Sequence, residues 1–274
     1  MRKSKMKLKS LKSDYVKSLA GLYNKKEAER LFFIFLEEWG GIRKIDYLTD
    51  WDQEVGVTTY QLMSAALHRL ECHEPYQHIL GQVDFADLKL EVSASALIPR
   101  PETEELAELI RTYPWPIPPQ RILDVGTGTG CLALACAKSF KNARVSAIDI
   151  SAEAIKLATG NAVNNQLEVA FHQVDFLKDS IVIAQSWDLI VSNPPYIATE
   201  ERRQIERLVK DHDPEIALFV AGADPLLFYR ALAAFGQRQL SNSGRMFVEI
   251  NERLGAATLR ILRMLVTERI CSRI

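Results

Sequence analysis

The stretch of the sequence most suggestive of chemistry is an asparagine followed by two prolines and a tyrosine, Asn193-Pro194-Pro195-Tyr196, directly after an apolar run. The prolines fix two φ angles and remove two backbone donors. The Asn193 side-chain oxygen and the Pro194 carbonyl can then accept both N–H bonds of a planar NH2 group, with Tyr196 as a flat wall. Such acceptors return electron density to the nitrogen and orient it. The stretch predicts a site for a planar nitrogen nucleophile, and a rigid turn is the alternative.

A second candidate site is a glycine-rich loop, "DVGTGTG", which joins a predicted strand to a predicted helix. Gly126, Gly128 and Gly130 allow a tight turn and a close approach of a ligand to the backbone. The spacing is GxGxG, whereas the dinucleotide fingerprint places its third glycine one residue later, so NAD and FAD are disfavoured. The loop predicts a nucleotide-like ligand, and a purely structural turn is the alternative.

Acidic residues lie at the ends of three predicted strands around this loop. Asp124 precedes the loop, and Asp149 follows about 20 residues later, the spacing expected for a carboxylate on ribose hydroxyls. Asp175 can accept a hydrogen bond from an adenine amino group, and Phe176 can stack on the base. The arrangement is similar to the S-adenosylmethionine site of class I methyltransferases. A surface aspartate at 149 and a core phenylalanine at 176 are the alternatives.

These residues must be positioned by the elements that begin at residue 121. Strand and helix patterns alternate from there, which predicts an α/β fold with a parallel sheet and helices on both faces. Ligands bind at the carboxyl ends of such strands. The predicted strands are 121–126, 144–150, 168–176, 187–193, 244–250 and at most one more in 268–274.

The first 75 residues predict helices and contain no catalytic constellation. One helix opens at Asn24 with Glu27 three residues later, a capping-box pattern, and ends in two glycines. Residues 76–98 predict a β-hairpin with a turn at Ala86-Asp87, and Pro101 suits the first residue of a helix. We therefore expect a helical domain at 1–75, a hairpin linker at 76–98 and an α/β domain at 99–274.

Composition excludes several classes of function. The chain has 274 residues, 47% of them hydrophobic, and a net charge of −1, which disfavours a surface-wide nucleic-acid footprint. No run of 18 apolar residues predicts a membrane span, and the basic start lacks the apolar region of a secretory signal. Four cysteines without disulfide spacing favour a cytoplasmic protein. The pair His68 and Cys72 has no matching second pair, so we predict no metal site.

Four stretches together are similar to one known family: "EPYQHILGQVDF" (74–85), "LIPRPETEEL" (97–106), "ILDVGTGTGCLALA" (122–135) and "VSNPPYI" (191–197). They resemble the HemK/PrmC family, the protein glutamine-N5 methyltransferases that modify peptide chain release factors. The resemblance implies a class I, Rossmann-like methyltransferase domain with a small N-terminal helical domain that recognises the substrate.

The resemblance also implies the ligands and their binding residues. The cofactor would be S-adenosyl-L-methionine, with S-adenosyl-L-homocysteine as product, and the substrate would be the glutamine of the release factor's Gly-Gly-Gln loop. The residues implied to hold that glutamine are Asn193, Pro194, Pro195 and Tyr196. Those implied to contact the cofactor are Gly126, Thr127, Gly128, Thr129, Gly130, Asp149, Phe176 and Asn193.

Two rival functions remain from the residues alone. A nucleic-acid amino-methyltransferase, acting on adenine N6 or guanine N2, would need a basic channel for a flipped base. The net charge and the acidic "PETEELAE" argue against it. A binding module that kept the fold without the chemistry is disfavoured by the intact NPPY and acidic residues. The sequence predicts no oligomeric state.

The end of the chain departs from the family pattern. Relatives continue after the last helix with a strand pair, whereas residues 267–274, "TERICSRI", leave room for one strand, so the C-terminal strand pair looks truncated. A class I sheet usually has seven strands. We therefore expect residues 244–250 to lie at or near an open edge of the sheet, with unpaired backbone groups.

Overall fold

The computed structural model describes residues 6–179, 185–195, 197–198, 219–220, 224–265 and 270–273. The chain divides into two compact units between Leu80 and Gly81. Residues 76–80 form a short helix, and Ile79 packs in the core of the first unit. The hairpin that follows packs Phe85, Leu88 and Leu90 into the core of the second unit. The hairpin is therefore part of the α/β unit.

The first unit is helical, and its core is aromatic. The Asn24 side chain accepts a hydrogen bond from the Glu27 amide, and Gly41 ends the same helix with a φ of 64°, as the capping pattern predicts. The buried Tyr15 packs edge-on against Phe32 and donates its hydroxyl to the Met63 carbonyl at 2.6 Å. Its helices are Leu8–Ser18, Lys25–Gly40, Lys44–Thr49, Val57–Glu71 and Tyr76–Leu80, and its strands are β1 (Met6–Lys7) and β2 (Glu54–Val55).

The second unit is built on a parallel sheet. Its described strands are β3 (Gln82–Phe85), β4 (Leu88–Glu91), β5 (Arg121–Val125), β6 (Arg144–Asp149), β7 (Ala170–Gln173), β8 (Trp187–Ser192), β9 (Ile197–Ala198), β10 (Phe219–Val220), β11 (Leu240–Glu249) and β12 (Ile270–Arg273). The main sheet has the order β12-β11-β8-β5-β6-β7, with all neighbours parallel. β3 and β4 form the predicted hairpin, and β9 pairs with β10.

Alternate residues of the central strands enter two separate cores, one on each face of the sheet. Ile122 and Leu189 pack in one core, and their neighbours Leu123 and Ile190 pack in the other. This alternation follows from the pleat of the strands. The helices that the structure describes in this unit are Pro101–Thr112, Cys131–Ser139, Ala152–Asn164, Phe176–Asp179, Leu227–Gln239 and Gly255–Leu265, with a 3-10 turn at Glu252–Leu254. The predicted α/β fold is therefore confirmed.

The structure corrects two details of the sequence-based strands. The third strand ends at Gln173, and Phe176 begins a short helix instead of closing the strand. β12 pairs with β11 from Met246 to Glu249, so this part of 244–250 is hydrogen bonded on both sides and the described sheet ends at β12. Residues 270–273 thus supply a partner strand, so β11 lies one strand away from the edge of the described sheet and not at the edge itself.

Candidate active site

The carboxyl ends of β5, β6 and β8 surround a cavity of about 330 Å³ within the second unit. That volume is at the lower end of the range of small-molecule sites. The sequence-predicted residues that line it are Asp124, Gly126, Thr127, Gly128, Thr129, Asp149, Asp175, Phe176, Asn193 and Pro195. Gly130 and Pro194 are buried beside it without appearing in its lining, and Tyr196 lies outside the described residues. The structure therefore brings most of the predicted site together.

The glycine loop forms one wall of the cavity. Gly126 has a φ of 75°, and a side chain added there would meet no described atom within 4 Å, which leaves room for a ligand against the backbone. Gly130 has a φ of 85° and a different role, because an added Cβ would lie 3.1 Å from the Cβ of Ala158. Gly130 permits the loop to pack on the Ala152–Asn164 helix, so packing explains it without a ligand contact.

Asp149 ties the end of β6 to the glycine loop. Its Oδ2 accepts a hydrogen bond from the Gly128 amide at 2.9 Å, and its Oδ1 accepts one from the Ser151 amide at 3.0 Å. Burial raises the pKa of Asp149, and the backbone hydrogen bonds oppose that rise. Each carboxylate oxygen has a second lone pair. Asp149 can therefore accept further hydrogen bonds from hydroxyl groups of a ligand in the cavity.

Asp124 is a fully buried carboxyl group with one unsatisfied oxygen. Its Oδ2 accepts hydrogen bonds from the Thr127 hydroxyl at 2.7 Å and the Ala133 amide at 3.1 Å. Its Oδ1 is buried and has no hydrogen-bond partner among the described residues. Burial raises the pKa of Asp124 to about 7, with a smaller rise from the charge of Asp149. Because Asp124 borders the cavity, a cationic group there would favour its ionised form.

Aromatic and apolar side chains form one end of the cavity. Phe176 stacks on Phe228 with ring centroids 6.2 Å apart and an interplanar angle of 19°, and both rings line the cavity. Phe176 also packs edge-on against Phe235 in the core, so it serves both as a cavity wall and as a core residue. Ile150, which is 43% exposed, lines the same end. This apolar end suits a flat ring.

A carboxylate also borders the apolar end. Asp175 accepts hydrogen bonds from the Leu177 amide at 3.1 Å and pairs with the Lys178 ammonium at 2.8 Å. The hydrogen bond from Lys178 lowers the pKa of Asp175, so this group is an ionised acceptor at neutral pH. Its position beside Phe176 in the cavity lining suits an amino group on a stacked ring.

The connector after the hairpin forms a further wall that the sequence reasoning did not assign to the site. Ala96, Leu97, Ile98 and Pro99 line the cavity together with Thr103. Ile150 and Phe228 were also missed. The position of Ile150, directly after the acidic end of β6, was a usable signal, whereas Phe228 lies in an amphipathic helix and carries no distinguishing pattern.

The side chain of Asn193 is held at the edge of the cavity by hydrogen bonds. Its Nδ2 donates to the Thr103 hydroxyl at 3.1 Å, and that hydroxyl donates to Glu249 Oε2 at 2.7 Å. Pro195 lines the cavity beside Asn193, and Pro194 is buried. The site therefore combines carboxylates, an apolar end and an oriented amide. In the described parts of the chain, no cluster of three His, Cys, Asp or Glu side chains could hold a metal ion.

Comparisons with known proteins identify related families and relatives. The family described as PrmC N-terminal domain matches residues 17–81, and the family described as Methyltransferase small domain matches residues 104–214. A release factor glutamine methyltransferase of Flavobacterium psychrophilum is 38% identical over 260 residues, which cover 94% of this chain and 91% of the relative. Proteins of the same name from Bacteroides thetaiotaomicron and Streptococcus pneumoniae are 35% and 36% identical, covering 90% and 96% of this chain and 88% and 92% of the relatives.

Proposed function

This chain belongs to the family of release factor glutamine methyltransferases, and from that premise we propose the reaction that it carries out. It transfers the methyl group of S-adenosylmethionine to the side-chain amide nitrogen (N5) of the glutamine in the Gly-Gly-Gln loop of a peptide chain release factor. S-adenosylhomocysteine is the second product. The observation that carries the proposal is that one cavity is lined both by Asp124 and Asp149 and by Asn193 and Pro195.

The residues in the cavity fit S-adenosylmethionine, which supplies an electrophilic methyl group when bound. We assign its ribose hydroxyls to Asp149 and its adenine to the apolar end formed by Ile150, Phe176 and Phe228. The buried Asp124 carboxyl group, which borders the cavity, suits a ligand that carries positive charge. A nearby cation favours the ionised form of a buried carboxyl group, whereas a neutral ligand does not.

The part of the site around Asn193, where the methyl-accepting substrate would bind, suits a primary amide. The nitrogen of an amide attacks poorly because its lone pair is delocalised into the carbonyl. We assign the Asn193 Oδ1 and the Pro194 carbonyl as acceptors of its two N–H bonds, with Pro195 and Tyr196 beside it. Accepting both bonds fixes the direction of the nitrogen and returns electron density to it, a case of positioning and electrostatic preorganisation.

The helical unit is assigned to recognition of the protein substrate. It matches the PrmC N-terminal domain family, and its described residues show no clustered catalytic side chains. A short helix in this unit exposes Ile45 and Leu48, which are 59% and 61% accessible. An exposed apolar pair on one helix face is suited to a protein partner. Because release factors act in translation, we place the enzyme in the cytoplasm.

A nucleic-acid substrate is not favoured. Glu102, Glu104 and Glu105 lie in the first turns of the helix that also carries Thr103 to the cavity, and they would repel a phosphate backbone. No helix in the described residues has the length and apolar character to cross a membrane. The acidic first turns agree with a protein substrate.

The direct test is transfer of a labelled methyl group from S-adenosylmethionine to purified release factor. We expect label on the wild-type release factor and none on a variant whose Gly-Gly-Gln glutamine is replaced by alanine. Transfer RNA, ribosomal RNA and DNA serve as parallel acceptors. Label on a nucleic acid with none on the release factor would overturn the proposal.

A further inference from the structure

Three side chains from distant parts of the sequence form one hydrogen-bonded chain at the edge of the cavity. Asn193 follows β8, Thr103 lies in the first turn of the Pro101–Thr112 helix, and Glu249 ends β11. The Asn193 Nδ2 lies 3.1 Å from the Thr103 hydroxyl, which lies 2.7 Å from Glu249 Oε2. Thr103 is 2% exposed. Thr103, the middle residue of this hydrogen-bonded series, is therefore shielded from water.

The chemistry of the three groups gives the chain a direction. An ionised carboxylate only accepts hydrogen bonds, and a hydroxyl has a single proton. Because the Thr103 proton is committed to Glu249, the Thr103 oxygen can only accept from Asn193. The Asn193 amide must then turn its NH2 group toward Thr103, and its Oδ1 away from it. Hydrogen bonds to an ionised group are roughly twice as strong as neutral ones, which makes this direction firm.

We propose that Glu249 and Thr103 are positioning residues that hold the Asn193 amide with its oxygen toward the substrate nitrogen. The proposal rests on the function proposed above. The NH2 and oxygen ends of an asparagine side chain have nearly the same shape, so packing alone does not distinguish them. A reversed amide would present a donor to the N–H bonds of the substrate and would repel them. The carboxylate, acting through the hydroxyl and directly on the Asn193 side chain, selects the productive orientation.

Glu249 must be ionised for the Asn193 amide to be held in this orientation. A protonated Glu249 could donate to Thr103, whose proton would then be free to point at Asn193 and favour the reversed amide. Burial raises the pKa of Glu249, with a further rise from Glu102, whereas Thr103, Arg100 and Asn193 lower it. Among the described residues, the thiol of Cys131 and the Tyr229 hydroxyl also face Glu249, and that hydroxyl donates to the Glu249 carbonyl at 3.3 Å. Turnover should therefore fall on acidification at a pH above the ordinary range of a glutamate.

The test compares paired substitutions in the full-length enzyme with purified release factor. Thr103→Val keeps the shape and removes the hydroxyl, and Thr103→Ser restores it. Glu249→Ala removes the acceptor, and Glu249→Gln keeps an oxygen that Thr103 can donate to. Glu102→Gln is the matched control, because it removes a neighbouring carboxylate that is outside the hydrogen-bonded chain. Each variant is measured for kcat, KM and affinity for S-adenosylmethionine.

We expect Thr103→Val and Glu249→Ala to lower kcat on the order of 10²-fold, the usual cost of a misplaced reacting group, with cofactor affinity unchanged. Thr103→Ser and Glu249→Gln should stay within a few-fold of wild type, and Glu249→Gln should also lose the acidic limb of the pH profile. Adding Thr103→Val to Asn193→Ala should cause no further loss, since both act through one amide.

The result that would overturn the inference is wild-type kcat in both Thr103→Val and Glu249→Ala. An equal loss in Thr103→Ser and Thr103→Val would also contradict it, because a serine retains the hydroxyl. If Glu249→Ala fails to fold, the comparison of Thr103→Val with Thr103→Ser and the pH profile of Glu249→Gln test the inference instead. A wild-type enzyme that methylates no release factor would instead refute the proposed function, so the two failures are distinguishable.

Discussion

Asp149 accepts a hydrogen bond from the backbone amide of Gly128 at 2.9 Å. The carboxylate assigned to the ribose therefore also fixes the neighbouring glycine loop, which lines the same cavity. Cofactor binding and loop geometry are linked through one side chain. This link makes Asp149 the residue whose removal should affect cofactor affinity most.

We predict that Asp149→Ala weakens binding of S-adenosylmethionine, by about 1.5–3 kcal/mol for each hydrogen bond lost to the charged group. Isothermal titration calorimetry measures the affinity. Asp188→Asn is the matched control, because the Asp188 carboxylate also accepts backbone amides, those of Gln120 and Arg121 at 3.0 Å, but does so at the start of β8, away from the cavity. Unchanged affinity in Asp149→Ala would remove this residue from the site.

We predict that cofactor affinity increases with pH as Asp124 ionises. The pKa of Asp124 is raised by burial to about 7, and a bound cation favours the ionised form. Binding near pH 7 should therefore release a proton, seen as a dependence of the binding enthalpy on the ionisation enthalpy of the buffer. Asp124→Asn should abolish the proton release. Equal proton release in the variant and the wild type would show that another group titrates.

The same shift predicts how the stability of the cofactor-free enzyme depends on pH. A carboxyl group whose pKa is raised by folding stabilises the folded state fully below its unfolded value, 3.8, and this contribution is lost as the pH rises through about 7. We therefore expect the melting temperature of the wild type to fall more than that of Asp124→Asn between pH 5 and pH 8. Parallel profiles for the two proteins would contradict the assignment.

We predict that Asn161 is the main clamp between the hairpin and the glycine loop. Fully buried, Asn161 accepts from the Glu91 amide at 2.6 Å and donates to the carbonyls of Glu91 at 3.0 Å and Thr129 at 2.9 Å. Asn161→Ala leaves these backbone groups without partners. The unfolding free energy should fall by about 1–3 kcal/mol for each group left unsatisfied. Chemical denaturation measures the loss of unfolding free energy.

Asn164→Ala is the matched control for this clamp. Asn164 lies on the exposed side of the same helix and donates to the Glu91 side chain at 2.9 Å. An exposed hydrogen bond contributes little, so its removal should change the unfolding free energy by less than about 1 kcal/mol. A similar loss in Asn161→Ala and Asn164→Ala would argue against a specific clamp.

We predict that the exposed apolar pair Ile45 and Leu48 contacts the release factor. Replacing both with serine should raise KM for the release factor while kcat and cofactor affinity stay near wild type, since the pair lies in the unit without the cavity. Val163→Ser is the control, because Val163 is 71% exposed on the α/β unit. A KM unchanged by the double substitution would assign recognition to another surface.

Local signals predicted the elements that carry the site. The cap at Asn24, the turn at Ala86-Asp87 and the proline that opens the helix at Pro101 are each determined by neighbouring residues, and the structure contains all three. The glycine loop and Asp149 could be placed together because parallel strands end at one edge of a sheet. Prediction from sequence succeeded where the interaction was short in range or followed from the order of the strands.

The features missed from the sequence depend on long-range contacts. Thr103 and Glu249 are 146 positions apart, and neither has a neighbouring residue that indicates a shared role. In the wall formed by Ala96 to Pro99, the first three residues were placed in the predicted hairpin linker and Pro99 in the α/β domain, without a role in the site. Phe176 was assigned to a strand end, whereas it begins a short helix. Its ring stacks there on Phe228, which lies in another helix. Each miss involves a partner that only the tertiary fold brings near.

The central claim is that this enzyme methylates the amide nitrogen of one glutamine in a release factor. Mass spectrometry of peptides from release factor incubated with S-adenosylmethionine and enzyme measures this directly. We predict one added methyl group on the side chain of the Gly-Gly-Gln glutamine, and a loss of that product on the order of 10²-fold or more with Asn193→Ala. A methyl group on any other residue, or full methylation by Asn193→Ala, would contradict the account.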